Sequence, residues 1–271
     1  MKIIIYYTIG ILIFSFAYIF KKESISDFLT FIGTFSIFFI VPIIDLVQVD
    51  KISTFKDAKN LYKSKLLYRN KDIRVSISYL FKIKIDDKYF LIKGKRINQY
   101  QPVGGVYKYY SEAKSIFRKL GVKDDDCIPI DSSSKDDLRI RVKGKNLFKL
   151  IKWFESGKER EVCLYREFYE ELIKDKILDV KNFNYIDCIH LNRIIDDIKY
   201  DNHFNCQQIL IADIYELKLN NKQLEEFKKL MDAKSDKYIW SYEDQINTLG
   251  YEKYKKETIN IPPTAKWLIG N

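Results

Sequence analysis

Two uncharged segments near the N-terminus constrain the architecture of this chain more than any other feature. Residues 3–20 carry no charged side chain, and the charged segment Lys21–Asp27 separates them from a second uncharged run, residues 28–44. As a helix, the first run would extend about 27 Å, close to the hydrocarbon thickness of a bilayer. This pattern predicts a transmembrane helical hairpin over residues 1–49.

A cleaved signal peptide and a pair of buried helices are two other interpretations of these segments. A cleaved signal peptide would end in a cleavage site of the A-x-A type, which the first segment lacks, and a second apolar run follows it almost at once. A pair of helices buried in a soluble core would usually keep a polar stripe. Both comparisons favour the hairpin.

The charges that flank the hairpin predict its orientation. The turn contains Lys21 and Lys22, whereas seven basic residues follow the second span within residues 50–71. The positive-inside rule therefore predicts a multi-pass membrane protein whose soluble domain lies in the cytoplasm. Residues 50–71 are expected to form a polar, mainly helical connector, and residues 72–271 are long enough for one domain with its own core.

The net charge of +10 comes mostly from scattered lysines. Nucleic-acid binders more often cluster arginines with aromatic residues on one face, so we expect no direct binding of DNA or RNA. Anionic lipid and a phosphorylated small ligand remain compatible with the charge. The cysteines form no C-x-x-C pair and have no zinc spacing with the histidines, so we expect reduced thiols. These residues are Cys127, Cys163, Cys188, Cys206, His190 and His203.

The soluble domain shows alternating strand and helix signals. Residues 74–85 place apolar side chains at every second position, which predicts a half-buried strand, and residues 89–93 return after a turn. Residues 111–157 are less regular. Helices are expected at 158–174 and 221–234, with further strands at 184–190 and 205–218. The fold class expected from this order is a mixed α/β sandwich.

Two segments contain candidate ligand-binding residues. The bend Q-Y-Q-P-V-G-G-V contributes Gln101, Gly104 and Gly105, whose glycines allow close approach of the backbone. The basic stretch 139–152 is either a phosphate-binding strand and loop or a solvated element. Its candidate residues are Arg139, Arg141, Lys143 and Lys145.

A set of carboxylates is the strongest chemical signal in the chain. Glu167, Glu170 and Glu171 share one face of a helix at positions i, i+3 and i+4. Their mutual repulsion is relieved either by solvated lysines or by a hard divalent cation such as Mg²⁺. Arg166 stands next to them and can orient one carboxylate through a charge-assisted hydrogen bond.

The segment R-E-F-Y-E-E-L, downstream of Q-P-V-G-G-V, resembles the Nudix box, G-x5-E-x7-R-E-U-x-E-E-x-G-U with U a bulky aliphatic residue. The resemblance covers roughly residues 72–260. Arg166, Glu167, Glu170 and Glu171 match the catalytic core of the box, Phe168 matches the first U, and Gly104 and Gly105 match the opening glycines. Three departures stand out: an insertion at 111–157, Lys158 in place of the first Glu, and Ile173 in place of the late Gly.

The resemblance implies a Nudix-like α/β/α sandwich with a large insertion in the Nudix loop. In that family the helix glutamates hold Mg²⁺ or Mn²⁺, which activates water against a nucleoside diphosphate linked to a second group. It thus implies that Glu167, Glu170 and Glu171 would bind the metal, and act with Arg166 in catalysis, if the domain is active. The departures leave hydrolysis open, and a non-catalytic nucleotide sensor is the favoured interpretation.

The combination of a transmembrane hairpin with a divergent Nudix domain resembles the two-transmembrane, SMODS-associated Nudix effectors of CBASS antiphage systems. This resemblance implies a cyclic oligonucleotide as ligand, the lipid bilayer as partner and assembly into homo-oligomers that disrupt the inner membrane. The alternative function is that of a membrane-tethered, Mg- or Mn-dependent hydrolase acting on a dinucleotide or a nucleoside diphosphate derivative.

Overall fold

The computed structural model describes residues 55–125, 131, 134–251 and 259–270. These residues divide into two compact units. The first unit takes the described residues up to Asp72 together with 143–148, and the second takes 73–142 and the residues from Lys149 onward.

The structure contradicts the predicted architecture of a membrane hairpin followed by a domain. No helix within the described ranges is long and apolar enough to cross a membrane. The longest of the described α-helices, Asn221–Asp232, has 12 residues, whereas about 20 apolar residues are needed. The segments 3–20 and 28–44, to which the spans were assigned, lie outside the described residues. A multi-pass location in the inner membrane is accordingly not supported.

The first unit is helical where it is described. Helix α1, Phe55–Tyr62, continues into a π-helical turn, Lys63–Leu67, and a 3-10 turn, Gly144–Asn146, belongs to the same unit. Gly144 packs against backbone: a Cβ there would lie 2.4 Å from the carbonyl oxygens of Ser64 and Tyr68. Only glycine fits this contact without a shift of the chain.

The second unit is built around two sheets. The strands are β1 (Asp72–Lys82), β2 (Lys84–Ile85), β3 (Lys88–Lys93), β4 (Tyr100–Pro102), β5 (Gly104–Val106), β6 (Lys123–Asp124), β7 (Arg139–Lys143), β8 (Asp187–Ile195), β9 (Lys199–Asp201), β10 (Cys206–Lys218) and β11 (Tyr238–Tyr242). The remaining α-helices are α2 (Ala113–Leu120), α3 (Leu147–Glu155), α4 (Tyr165–Phe168), α5 (Asn221–Asp232) and α6 (Glu243–Asn247). A 3-10 helix, Pro263–Leu268, comes last.

The larger sheet is mixed. Its order is β6-β7-β1-β10-β8, with β5 also paired to β1 and β9 to β10. Strands β1 and β10 run parallel, with Ile73 opposite Gln207 and Lys82 opposite Glu216. The smaller, antiparallel sheet has the order β11-β3-β2, with β4 added to β3. This arrangement confirms the mixed α/β class and is consistent with a Nudix-like domain.

The predicted alternation in the first strand is confirmed by burial. Val75, Ile77, Tyr79 and Phe81 are fully buried. Such period-two burial is expected where one face of a strand packs on a core.

Residues 111–157 are more regular than the sequence indicated. They contain α2, β6, β7 and α3, and β7 lies beside β1 in the larger sheet. The insertion is closed at its base, because Tyr109 bridges Arg160 and the amide of Tyr110 donates to the carbonyl of Glu159 at 2.8 Å. The two ends of the insertion therefore lie next to each other.

The predicted helix at 158–174 begins later than expected, at Tyr165. It consists of α4 and a following π-helical turn, Tyr169–Ile173. The residues before it are not helical, because Glu159 has a positive φ of 61° and Arg160 forms a β-bridge with Tyr109. The apolar stripe thus loses its first member, since Val162 is 65% exposed, while Phe168 and Leu172 are buried.

A continuous series of aromatic contacts joins the two sheets through the helices. Phe81 of β1 meets Phe168 of α4 at 5.8 Å between ring centroids, and Phe168 meets Phe183 at 5.6 Å. The series continues from Phe183 to Phe227 of α5 at 5.6 Å and from Phe227 to Phe90 of β3 at 5.4 Å. Aromatic pairs at these separations add to the energy of burial, so the series fixes α4 and α5 between the sheets.

The aromatic series gives a test of this core. Phe90 is fully buried and also packs against Trp240 at 5.0 Å. We expect Phe90→Ala to lower the free energy of unfolding by about 3–5 kcal/mol in urea denaturation of the full chain. Ile97→Ala is the control, because Ile97 is 59% exposed, and it should change the value by less than about 0.5 kcal/mol. Similar small effects of both substitutions would contradict the described packing.

Candidate functional site

The glycine pair of β5 brings the backbone of the sheet close to the carboxylates of α4 and of the π-helical turn after it. In the ladder with β1, Gly105 lies opposite Tyr79 and Gly104 opposite Leu80. Gly104 has a φ of 141°, and a Cβ there would lie 2.2 Å from the Tyr79 carbonyl oxygen. A Cβ on Gly105 would lie 2.1 Å from the carboxyl carbon of Glu167. Glycine is required at both positions for this close approach.

Arg166 connects the start of this helix to two other parts of the domain. Its Nε and Nη2 donate to the two carboxylate oxygens of Glu161 at 2.8 and 2.9 Å, and Nη2 also donates to the Val106 carbonyl at 2.9 Å. Nη1 donates to Glu167 Oε1. Burial lowers the pKa of this guanidinium, but the hydrogen bonds to Glu161 and the charge of Glu167 outweigh it, so the net pKa is raised.

Glu161 is a site residue that the sequence reasoning missed. Counting back from Arg166 along the Nudix box leads to Lys158. This residue is exposed and, as a cation, cannot pair with the arginine as a carboxylate would. The structure instead places a buried carboxylate five residues before Arg166. The available signal was the acidic residue directly in front of the apolar run V-C-L-Y, where an unpaired buried charge is costly.

The three helix carboxylates have three different environments. Glu171 Oε2 accepts a hydrogen bond of 2.8 Å from the Gly104 amide, and burial raises the pKa of Glu171 to about 8. Burial also raises the pKa of Glu167, against the opposing effect of Arg166. The side chain of Glu170 is 41% exposed and lies 3.9 Å from Arg166 Nη1.

The predicted metal ligands do not assemble into a metal site in this arrangement. No group of three or more His, Cys, Asp or Glu side chains in the described part of the chain is placed to hold a metal ion. Arg166 engages Glu167, the Gly104 amide engages Glu171, and Glu170 extends toward solvent. The donor atoms are of the right type for Mg²⁺ or Mn²⁺, but their positions in this arrangement do not fit one ion.

Two of the predicted basic ligand residues lie in the second unit, and each faces a carboxylate. Arg139 Nη1 lies 3.6 Å from Asp137 Oδ2, and Lys108 Nζ donates to the other oxygen at 3.0 Å. Burial lowers the pKa of Arg139. Arg141 donates to the buried Asp125 at 3.4 Å.

Other predicted ligand residues are held by local contacts. Lys143 and Lys145 belong to the first unit, where Lys143 Nζ donates to Asp72 at 3.4 Å and the Lys145 amide donates to the Arg69 carbonyl at 3.1 Å. Gln101 lies in β4 opposite Ile92, and its side chain accepts a 3.3 Å hydrogen bond from Gln99. Three of the four predicted basic residues thus lie beside an aspartate. Of the predicted site residues, the structure brings together Gly104, Gly105, Arg166, Glu167 and Glu171.

A comparison with protein families identifies this combination. The model of the SMODS-associated NUDIX domain matches residues 72–269, nearly three quarters of the chain. The chain belongs to the SMODS-associated Nudix family. No curated protein and no solved structure matches it.

Family membership confirms the Nudix resemblance over the predicted range and supports a link to CBASS antiviral defence. It does not confirm the two-transmembrane type of architecture. Catalytic Nudix domains commonly use Mg²⁺ or Mn²⁺, but family membership alone does not show that a Nudix domain is catalytic.

The buried carboxyl of Glu171 predicts a pH-dependent stability. Because its folded pKa is raised to about 8, ionisation of Glu171 costs the folded state free energy that grows as the pH rises from the ordinary value of 4.5 toward 8. Glu171→Gln keeps an oxygen acceptor for the Gly104 amide and removes the charge. We expect the variant to gain at least about 1 kcal/mol over the native chain at pH 9, one pKa unit of the shift, and almost nothing at pH 4.

Urea denaturation in metal-free buffer at the two pH values measures this difference. Glu225→Gln on the exposed face of α5 is the control and should show no pH-dependent gain. A Glu171→Gln variant that is destabilised at pH 9 would contradict the assignment.

Proposed function

We propose that this chain is a CBASS-linked effector whose Nudix domain binds a cyclic oligonucleotide as a signal. The observation that carries the proposal is the engagement of the box residues inside a domain of this family. Arg166 is bound to Glu161, Glu167 and Val106, and Glu171 to Gly104. These contacts support recognition without turnover, because the carboxylates are tied to separate partners instead of converging on one point.

The electrostatics of the domain supports an anionic ligand. The chain as a whole carries a net charge of +10, which attracts a polyanion before specific contacts form. Near the box, Arg139 is partly buried beside Asp137 at 3.6 Å. A phosphate would compete with Asp137 for this guanidinium and would remove the desolvation cost of an imperfect pair.

An effector also needs two states that the ligand distinguishes. Binding shifts an equilibrium only by the difference in affinity between those states. We propose that the ligand favours a self-associated form of the chain, so the homo-oligomer that the family resemblance implies would be a ligand-dependent one.

Metal-dependent hydrolysis is the second candidate function. It is favoured by one observation: Glu167 and Glu171 both lie against the Gly104–Gly105 strand, one by steric contact and one by a hydrogen bond. A rearrangement that frees Glu167 from Arg166 would be needed before these carboxylates could act together on a diphosphate.

One experiment on the full chain separates the two functions. We expect calorimetry to show micromolar or tighter binding of one member of a panel of cyclic di-AMP, cyclic di-GMP and cyclic tri-AMP. Chromatography of the same mixtures with Mg²⁺ or Mn²⁺ should show no loss of the bound nucleotide. Sedimentation of the complex should show a larger species than the free chain.

The controls use matched glutamates. Glu167→Gln and Glu171→Gln alter the box, whereas Glu225→Gln alters an exposed position on α5. Metal-dependent cleavage that is lost in the first two variants and kept in the third would establish the hydrolase instead. Failure of the whole panel to bind would exclude these cyclic nucleotides as the signal and overturn the proposal.

A further inference from the structure

A cavity of about 340 Å³ opens on the side of the domain where β3 ends. Ile92 and Lys93 of β3, and Lys95 just after it, form one wall. The opposite wall comes from the box helix, which is α4 with its π-helical turn, and from the residues after it, and it includes Glu171. Lys237, just before β11, completes the rim. We call this space the lysine cavity.

Strand pairing fixes the positions of two lysines of the cavity. The amide of Lys93 donates to the carbonyl of Lys237 at 2.8 Å, which holds the two residues side by side across the smaller sheet. Lys237 Nζ donates to the backbone carbonyl of Asp175 at 3.1 Å. Within the described residues, no carboxylate lies in ion-pair distance of Lys93 or Lys237, so their charges are available to a ligand.

The third lysine organises the far wall. Lys95 Nζ lies 2.8 Å from the carboxylate of Asp175 and 3.2 Å from the carbonyl of Glu170. These contacts join the segment after β3 to the end of the box helix. Lys95 is thus a positioning residue, and Lys93 and Lys237 are the other two lysines that line the cavity, neither with a carboxylate partner among the described residues.

The lining also has an apolar part. Ile92 is buried and Ile177 is partly buried, and both line the cavity. A volume near 340 Å³ lies at the lower end of the range for small-molecule sites. Two ammonium groups beside aliphatic side chains suit a ligand that joins a phosphate to an uncharged ring system.

We propose that the lysine cavity is the subsite for a phosphorylated nucleoside, with Lys93 and Lys237 binding its phosphate and Ile92 and Ile177 contacting the nucleoside. This inference rests on the proposed function in that a nucleotide is the ligand. Glu171 links the subsite to the box, because it lines the cavity and accepts the hydrogen bond from Gly104. A ligand in the cavity therefore touches the residue that ties the box helix to β5.

The test uses the full chain and AMP, which is one nucleotide unit of an adenine-containing cyclic ligand. Acetic anhydride labels exposed lysines, and peptide mass spectrometry reads the labelling of each one. We expect AMP to protect Lys93 and Lys237 and to leave Lys234, an exposed lysine three residues before Lys237, unprotected. Inorganic phosphate at the same concentration should protect the two lysines less, since it lacks the nucleoside.

Variants measure the contribution of each lysine to binding. Lys93→Ala and Lys237→Ala should each weaken AMP binding about tenfold or more, as expected for the loss of a hydrogen bond to a charged group. Lys234→Ala should leave the affinity unchanged, and Lys237→Arg should keep most of it because the positive charge remains. Unchanged urea midpoints would show that the variants fold.

Three results would overturn the subsite. AMP could protect Lys93, Lys237 and Lys234 alike, AMP could protect none of them, or phosphate and AMP could protect them equally. The last result would indicate a simple anion site. Failure of the subsite proposal is distinguishable from failure of the proposed function. Binding of a cyclic nucleotide with Lys93 and Lys237 still fully reactive rejects only the subsite, whereas AMP protection without binding of any panel member rejects only the cyclic ligand.

Discussion

The guanidinium of Arg166 is the contact on which the geometry of the site depends. It binds Glu161 at the end of the insertion, Val106 on β5 and Glu167 on its own helix. A partly buried cation is tolerated only when its charge is compensated and its donors are satisfied, which these three acceptors achieve together. On the opposite side, Phe168 packs between Phe81 and Phe183. The helix is therefore held by charge on one face and by aromatic packing on the other.

The Gly104–Gly105 strand connects the box helix to the lysine cavity. Because neither residue has a side chain, the carboxylates of Glu167 and Glu171 reach the strand directly. Glu171 then forms part of the lysine cavity, whose other walls come from β3 and from the residue before β11. A ligand bound between these elements would change the surroundings of Glu171, and through its hydrogen bond those of Gly104. This connection gives a physical route by which occupancy of the cavity affects the box.

Much of the fold could be predicted from local patterns, and the exceptions have physical causes. The alternation in β1 was sufficient because one face of a strand is buried at every second residue, as Val75 to Phe81 show. The start of the box helix was misplaced because the pairing of Arg160 with Tyr109 overrides the helical composition of the segment. The sequence left the basic stretch as either a phosphate-binding or a solvated element, and only the structure shows that Arg139 and Arg141 lie beside Asp137 and Asp125. The transmembrane architecture expected from two apolar runs is contradicted within the described residues.

The alternation of β1, the family over residues 72–269 and the residue types available at the box all follow from the amino-acid sequence alone. Which of those residues meet depends on the packing of the folded domain. Gly104 and Glu171 are 67 positions apart, and Lys95 meets Asp175 across a similar separation. The partner of Arg166 proved to be Glu161 because the base of the insertion returns to that point. Local propensities act over a few residues, whereas these contacts are set by how sheets and helices pack, so no local pattern in the chain encodes them.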